Sequence, residues 1–124
     1  MDEIEVKALE YLPLTESTFA ILVALAEPRH GYGIMQAVAQ EDGGGIRLGP
    51  GTLYGALTKL LEGGLIARAG DSNAGDERRK LYVLTPLGRR VVRLESERLD
   101  RMARLGRLVI TQWEEDDDAD PARV

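Results

Sequence analysis

Hydrophobic positions along the chain fall into short helical rhythms separated by glycine and proline. Residues 2–11 carry a weak helical pattern that breaks at Pro13. Thr15 reads as an N-cap, with Glu16 in the first turn where the helix dipole favours an anion. The run from Phe19 to Leu25 is apolar on most faces, which predicts a central, buried helix over 16–26 that Pro28 ends. Another opens at His30-Gly31 and continues to about Gln40, with Ile34, Met35 and Val38 on one side. Gly43-Gly44-Gly45 breaks the chain, and Ile46-Arg47-Leu48 is long enough for a very short strand. Pro50 sits where a first helical turn tolerates it, and Leu53, Leu57, Leu60 and Leu61 give a helix over about 50–62 that stops at Gly63-Gly64.

Leu65 to Ala69 and Arg79 to Leu84 read as strands, joined through the polar, glycine-bearing stretch Gly70–Glu77 of an exposed hairpin tip. Thr85-Pro86 pairs a cap with proline at the first helical position, so a long helix starts there and runs to about Trp113. The predicted fold is mainly α with a small β-hairpin: a winged helix-turn-helix followed by a long C-terminal dimerisation helix. The predicted organisation is an N-terminal extension or short helix over 1–13, a DNA-binding domain over 14–85, the dimerisation helix over 86–113, and an acidic, disordered tail over 114–124.

Composition narrows the class. The length of 124 residues suits one modest core. No apolar run approaches the roughly 18–20 residues of a membrane span, and the acidic start Met1-Asp2-Glu3 is unlike a signal peptide. Without cysteine, disulfides, zinc thiolate sites and cysteine nucleophiles are excluded, and the cytoplasm is the expected compartment. Three lysines among sixteen bases, with fourteen glycines, hint at a GC-rich bacterial genome. The net charge of −5 argues against a nucleic-acid partner only until its distribution is seen. Residues 114–124 hold six acids and one base, the remainder is neutral, and Arg78 to Arg107 carries ten bases against three acids. Local field steers a polyanion, so DNA binding survives. The acidic block reads either as a solubility device or as a weak competitor for the chain's own DNA surface.

On the 50–62 helix the apolar stripe leaves Gly51, Gly55, Thr58, Lys59 and Glu62 on the opposite side, with Thr52 and Tyr54 on the flanks. Small residues let a helix backbone approach a duplex, while hydroxyls and a lysine reach phosphates and base edges. An ordinary amphipathic surface helix would look similar, but two exposed glycines each cost about 1 kcal/mol relative to alanine. Arg78-Arg79-Lys80 opens the second strand and suits contact with a phosphate backbone, or alternatively an edge that discourages strand pairing. Tyr82 reads as core, Gly31 as a tight turn, and the single histidine, His30, as a helix-start residue. In the long helix Val91, Val92, Leu94, Leu99, Met102, Leu105, Leu108, Val109 and Trp113 form a face that a second subunit would cover. Arg98 and Arg101 interrupt it, and Gly106 marks either a close crossing or a weak point.

The segments Leu14-Thr15-Glu16, His30-Gly31-Tyr32-Gly33-Ile34, Gly51-Thr52-Leu53-Tyr54-Gly55-Ala56-Leu57 and Arg79-Lys80-Leu81-Tyr82-Val83-Leu84-Thr85, in that order and spacing, resemble the phenolic acid decarboxylase regulator (PadR) family. The resemblance covers roughly residues 14–88 and matches the short-tailed branch with one C-terminal helix. It implies a winged-helix repressor, dimeric through that helix, which leaves operator DNA on binding a small-molecule effector. It also makes Tyr32, Thr52, Tyr54, Arg79 and Lys80 the first candidates for DNA contact, to which the physical reading adds Gly51, Lys59 and Arg78. Some family members hold flat aromatic effectors between aromatics near the middle of the last helix. Here that region offers Leu99 and Met102, with Trp113 near the end.

An enzyme is not expected: one histidine, no cysteine and no phosphate-loop signature leave no catalytic framework, and no cofactor or metal is called for. The expected partners are double-stranded operator DNA, a second copy of the chain and a small effector, with no membrane. The rival reading is a winged helix used for protein–protein contact, its acidic end serving as a docking arm.

Overall fold

The computed structural model describes residues 1–69 and 80–119. Its elements are α1 (Glu3–Leu9), α2 (Glu16–Ala24), α3 (Gly31–Ala39), a single 3-10 turn at Glu41–Gly43, α4 (Pro50–Glu62), β1 (Ile66–Ala69), β2 (Leu81–Leu84) and α5 (Pro86–Ala119). Helices α2, α3 and α4 followed by an antiparallel hairpin give the winged-helix order. Among the described residues no helix is long and apolar enough to cross a membrane.

Local chemistry explains where each element starts and stops. The Thr15 hydroxyl accepts from the Thr18 amide at 3.1 Å and caps α2. That helix ends at Ala24, earlier than the pattern predicts, and the Leu25 carbonyl accepts from Leu84 of β2. At the end of α4, Gly64 takes φ +78°, a left-handed conformation that glycine adopts without steric cost. Leu65 N–H then reaches the Leu60 carbonyl and Gly64 N–H the Leu61 carbonyl, which is a Schellman closure. Thr85 caps α5 by accepting from Gly88 N–H at 3.1 Å.

Two expectations are corrected. Ile46–Leu48 forms no strand, because Ile46 N–H is drawn to the Val38 carbonyl at the end of α3. The third position beside the hairpin belongs to Arg29, which exchanges backbone hydrogen bonds with Tyr82. The helix expected to end near Trp113 instead runs to Ala119, so residues 114–119 are helical and not a disordered tail. No glycine or proline lies between Gly106 and Pro121 to stop it. At 1.5 Å per residue, Glu114–Asp118 therefore sit about 42 to 48 Å from Pro86.

The core joins Ile21, Leu22, Leu25, Ile34, Val38, Leu53, Leu57, Leu65, Ile66 and Tyr82, and α5 closes it. Val91 is fully buried inside the chain, and Leu87, Val92 and Leu94 pack against the same cluster. Val91 is thus unavailable to a second subunit, which corrects its assignment as a dimerisation residue. It sits in the first turns of α5, over residues 86–95, whose inner side packs into the domain's own core. Gly88 makes the seating possible, since a Cβ there would stand 2.1 Å from the Leu65 carbonyl oxygen. Helix α1 flanks the seam, with Arg90 3.6 Å from Asp2 and Tyr11 donating to the Gly63 carbonyl at 3.2 Å.

The seating is pinned by a carboxylate. Glu95 is 1% exposed, accepts from the Leu14 amide at 2.6 Å, and is paired with the Arg98 guanidinium. The Arg98 hydrogen bond holds its carboxyl below the ordinary glutamate range against the opposing pull of desolvation, and the Leu14 amide adds to the lowering. A depressed carboxylate stabilises the fold above its unfolded pKa, and that contribution is lost as pH falls through the folded value. Glu95→Gln is expected to cost about 1.5–3 kcal/mol at neutral pH, the range for hydrogen bonds to a charged group. Denaturant melts of both proteins across pH should show the gap closing only below the ordinary glutamate range. A gap independent of pH would refute the charged contact.

Candidate nucleic-acid interface

Helix α4 presents an open face. Gly51, Thr52, Gly55, Thr58 and Lys59 are exposed, while Leu53, Leu57 and Leu60 are buried beneath them. A Cβ built on Gly51 or Gly55 meets nothing within 4 Å, so neither glycine is demanded by the fold of this chain. The Thr58 hydroxyl is turned back onto the Tyr54 carbonyl at 2.8 Å. Gly51 and Thr52 lie in the first turn of α4 behind Pro50, where unpaired backbone amides also point outward.

Tyr54 is placed differently from a free DNA contact. It is half-buried, and a Cβ on Gly31 would come within 2.3 Å of its hydroxyl oxygen. Gly31 is therefore small to admit the Tyr54 ring, which corrects its reading as a tight-turn residue. This packing sets α3 against α4 and leaves Tyr32, the next residue on α3, 67% exposed. Tyr32, Thr52 and Gly51 are thus carried by the first turns of two helices that one aromatic ring locks together.

On the hairpin, Arg78 and Arg79 lie outside the described residues. Lys80 lies just ahead of β2, and its carbonyl is 3.1 Å from Nδ1 of His30. The imidazole thus donates to the wing, a tie between α3 and the hairpin beyond the helix-start role expected of His30. Sequence reasoning also missed Arg68. It is exposed on β1, opposite Tyr82 in the ladder, and lines a cleft of about 180 Å³ with Tyr54, Thr58 and Tyr82. Its signal was strand alternation: Ile66 is buried, so Arg68 two residues on shares its strand face beyond the edge of the core. Among the described residues no group of three or more histidines, cysteines or carboxylates could hold a metal ion.

The fold agrees with what the chain is similar to. The family described as "Transcriptional regulator PadR-like family" matches residues 21–94, more than half of the chain. The protein belongs to the PadR-like family of transcriptional regulators. An uncharacterized 37.1 kDa protein in transposon TN4556 of Streptomyces fradiae is 36% identical over 89 residues, 71% of this chain and 24% of that protein. The chain thus spans about a quarter of the length of that relative. A PadR family transcriptional regulator from Eggerthella lenta is similar in structure at 30% identity and TM-score 0.57, covering 84% of this chain and 92% of that one. PadR of Bacillus subtilis, solved in complex with operator DNA, is 26% identical with TM-score 0.51, covering 61% of this chain and 44% of that one.

Gly31→Ala should push the Tyr54 ring out of place and cost about 1–3 kcal/mol, the usual penalty of overpacking. Adding Tyr54→Phe removes the nearest atom and should recover part of the loss. Thermal melts of the single and double variants check this, and additive losses would mean that the two residues do not meet as described.

Proposed function

We propose that the chain represses transcription as a homodimer that grips operator DNA through the open face of α4 and the wing, and that a small molecule releases it. The observation that carries the DNA reading is the pair of glycines Gly51 and Gly55, exposed inside a helix where the chain's own packing asks for neither. Their absence of side chains brings the α4 backbone close to a duplex. Thr52, Lys59 and Tyr32 then reach phosphates and base edges, and the wing bases Arg78, Arg79 and Lys80 with Arg68 follow the backbone alongside. The operator complex of the Bacillus subtilis relative supports this reading. The place of action is the cytoplasm, where chromosomal DNA is accessible.

The dimer reading draws on α5, whose residues 99–118 are exposed. Leu99, Met102, Leu105, Val109 and Trp113 provide the apolar surface for a second subunit, with Leu94 at its half-buried inner edge. The same surface is where a flat apolar effector would insert.

The glycines permit a test that separates fold from function. Gly51→Ala and Gly55→Ala should each raise stability by up to about 1 kcal/mol through helix propensity. Footprinting and titration on the DNA flanking the chain's own gene should nevertheless show both variants binding more weakly. Unchanged or tighter DNA binding by the stabilised variants would overturn the close-approach role. Lys80→Ala should lower affinity for specific and random duplexes alike and flatten the slope of log affinity against log salt by about 0.9, one phosphate contact. For the dimer, Leu105→Lys with Val109→Lys should give a folded monomer by sedimentation; a dimer that persists would place the interface elsewhere.

A further inference from the structure

The outer edge of β2 is held at every second residue. Leu84 N–H reaches the Leu25 carbonyl, Tyr82 exchanges both backbone hydrogen bonds with Arg29, and the Lys80 carbonyl meets Nδ1 of His30 at 3.1 Å. In an antiparallel ladder the amide and carbonyl of one residue point to the same edge, and residues two apart share that edge. Lys80 therefore continues the edge on which Tyr82 meets Arg29, while Leu81 pairs with Ala69 of β1. The next hydrogen-bonded pair along that edge would join Lys80 to Gly31, yet Gly31 is already the first residue of α3. The imidazole of His30 stands in for the backbone donor that the turn into the helix takes away. A carbonyl only accepts, so Nδ1 carries the proton. His30 is also the N-cap of α3, a position where serine, threonine, asparagine or aspartate would satisfy a first-turn amide. Its side chain makes no such bond, so the ring serves the hairpin and not its own helix.

We propose that His30 is a positioning residue for DNA binding, a role that rests on the reading of α4 and the wing as the DNA surface. Its ring sets the start of β2, which follows the basic run Arg78-Arg79-Lys80 in sequence, at a fixed offset from the first turn of α3. That turn carries Tyr32, two residues beyond His30 and 67% exposed. Phosphate contacts fix the register of a protein on a duplex, and contacts held ready in advance avoid the cost of ordering them on binding. His30 acts through the Lys80 backbone and does not itself touch the duplex.

Substitutions of His30 in the full chain test the role. His30→Ser removes the reach to Lys80 but supplies a good N-cap, so α3 keeps its start and the variant should melt close to the parent. It should nevertheless bind random duplex DNA about ten-fold more weakly at low salt, with a flatter slope of log affinity against log salt. His30→Asn places an amide N–H where Nδ1 stands and should return to within about three-fold of the parent. In a chain carrying Arg78→Ala, Arg79→Ala and Lys80→Ala, His30→Ser should cost less than about two-fold, because the losses of residues that act as one unit do not add. Equal losses in both backgrounds, or a His30→Asn chain as weak as His30→Ser, overturn the positioning role. The tie has its own readout without DNA: nitrogen NMR of the neutral ring should find the proton on Nδ1, and a proton on Nε2 overturns the proposal at its first step. A parent chain that binds no duplex at low salt, with the proton on Nδ1, overturns the DNA reading and this role with it, while the tie to the hairpin stands.

Discussion

A buried carboxylate with its two hydrogen-bond partners fixes the seat of the long C-terminal helix on the rest of the domain. Glu95 on α5 reaches across to the Leu14 amide just ahead of α2, and Arg98 supplies the positive charge that lets it stay ionised out of water. A lone buried carboxylate would be strongly disfavoured, and with both partners the same group becomes a fixed point between two elements. Around it Leu87, Val91 and Leu94 close the core formed by α2, α3 and α4. That closure holds α5 against α2, while the Tyr54 ring on Gly31 sets α4, and with it the candidate DNA surface, against α3.

Glycine serves opposite purposes at two pairs of helical positions. At Gly31 and Gly88 the missing side chain is filled by a neighbour, an aromatic ring in one case and the Leu65 carbonyl in the other. At Gly51 and Gly55 the space stays open to solvent. The first pair makes the structure compact. The second weakens a helix for no internal return, which fits a surface shaped for something outside the chain.

Much of this was legible in the sequence because it rests on local rules. Thr15, Pro50, Gly64 and Thr85 mark element boundaries through their own backbone or capping chemistry, and the leucine spacing of α4 identified its buried side. What was hidden depends on contacts between distant residues. The Tyr54–Gly31 packing, the His30 tie to Lys80 and the Arg29–Tyr82 bridge each join parts of the chain at least 23 residues apart. Glu95 sits one turn beyond Val91 on the same helical face, a position where a charged residue has to find partners if it is to be buried. That spacing was available as a clue. The helical run of acids through Asp118 was misread because charge blocks are usually solvated, whereas here only a breaker residue would have ended the helix.

Thr85 is a single residue joining three elements. Its hydroxyl donates to the Gly64 carbonyl at the end of α4 and accepts from Gly88 at the start of α5, while its own amide donates to the Leu65 carbonyl leading into β1. Beyond this joint α5 extends as a lever some 50 Å long, with the Glu95 pin roughly a quarter of the way out. A displacement of about 4 Å at the far tip corresponds to only about 5° at the joint, a tilt that the pin must resist or transmit. Torque applied to the distal arm therefore acts first on the Glu95 clasp and, through Thr85, on the C-terminus of α4.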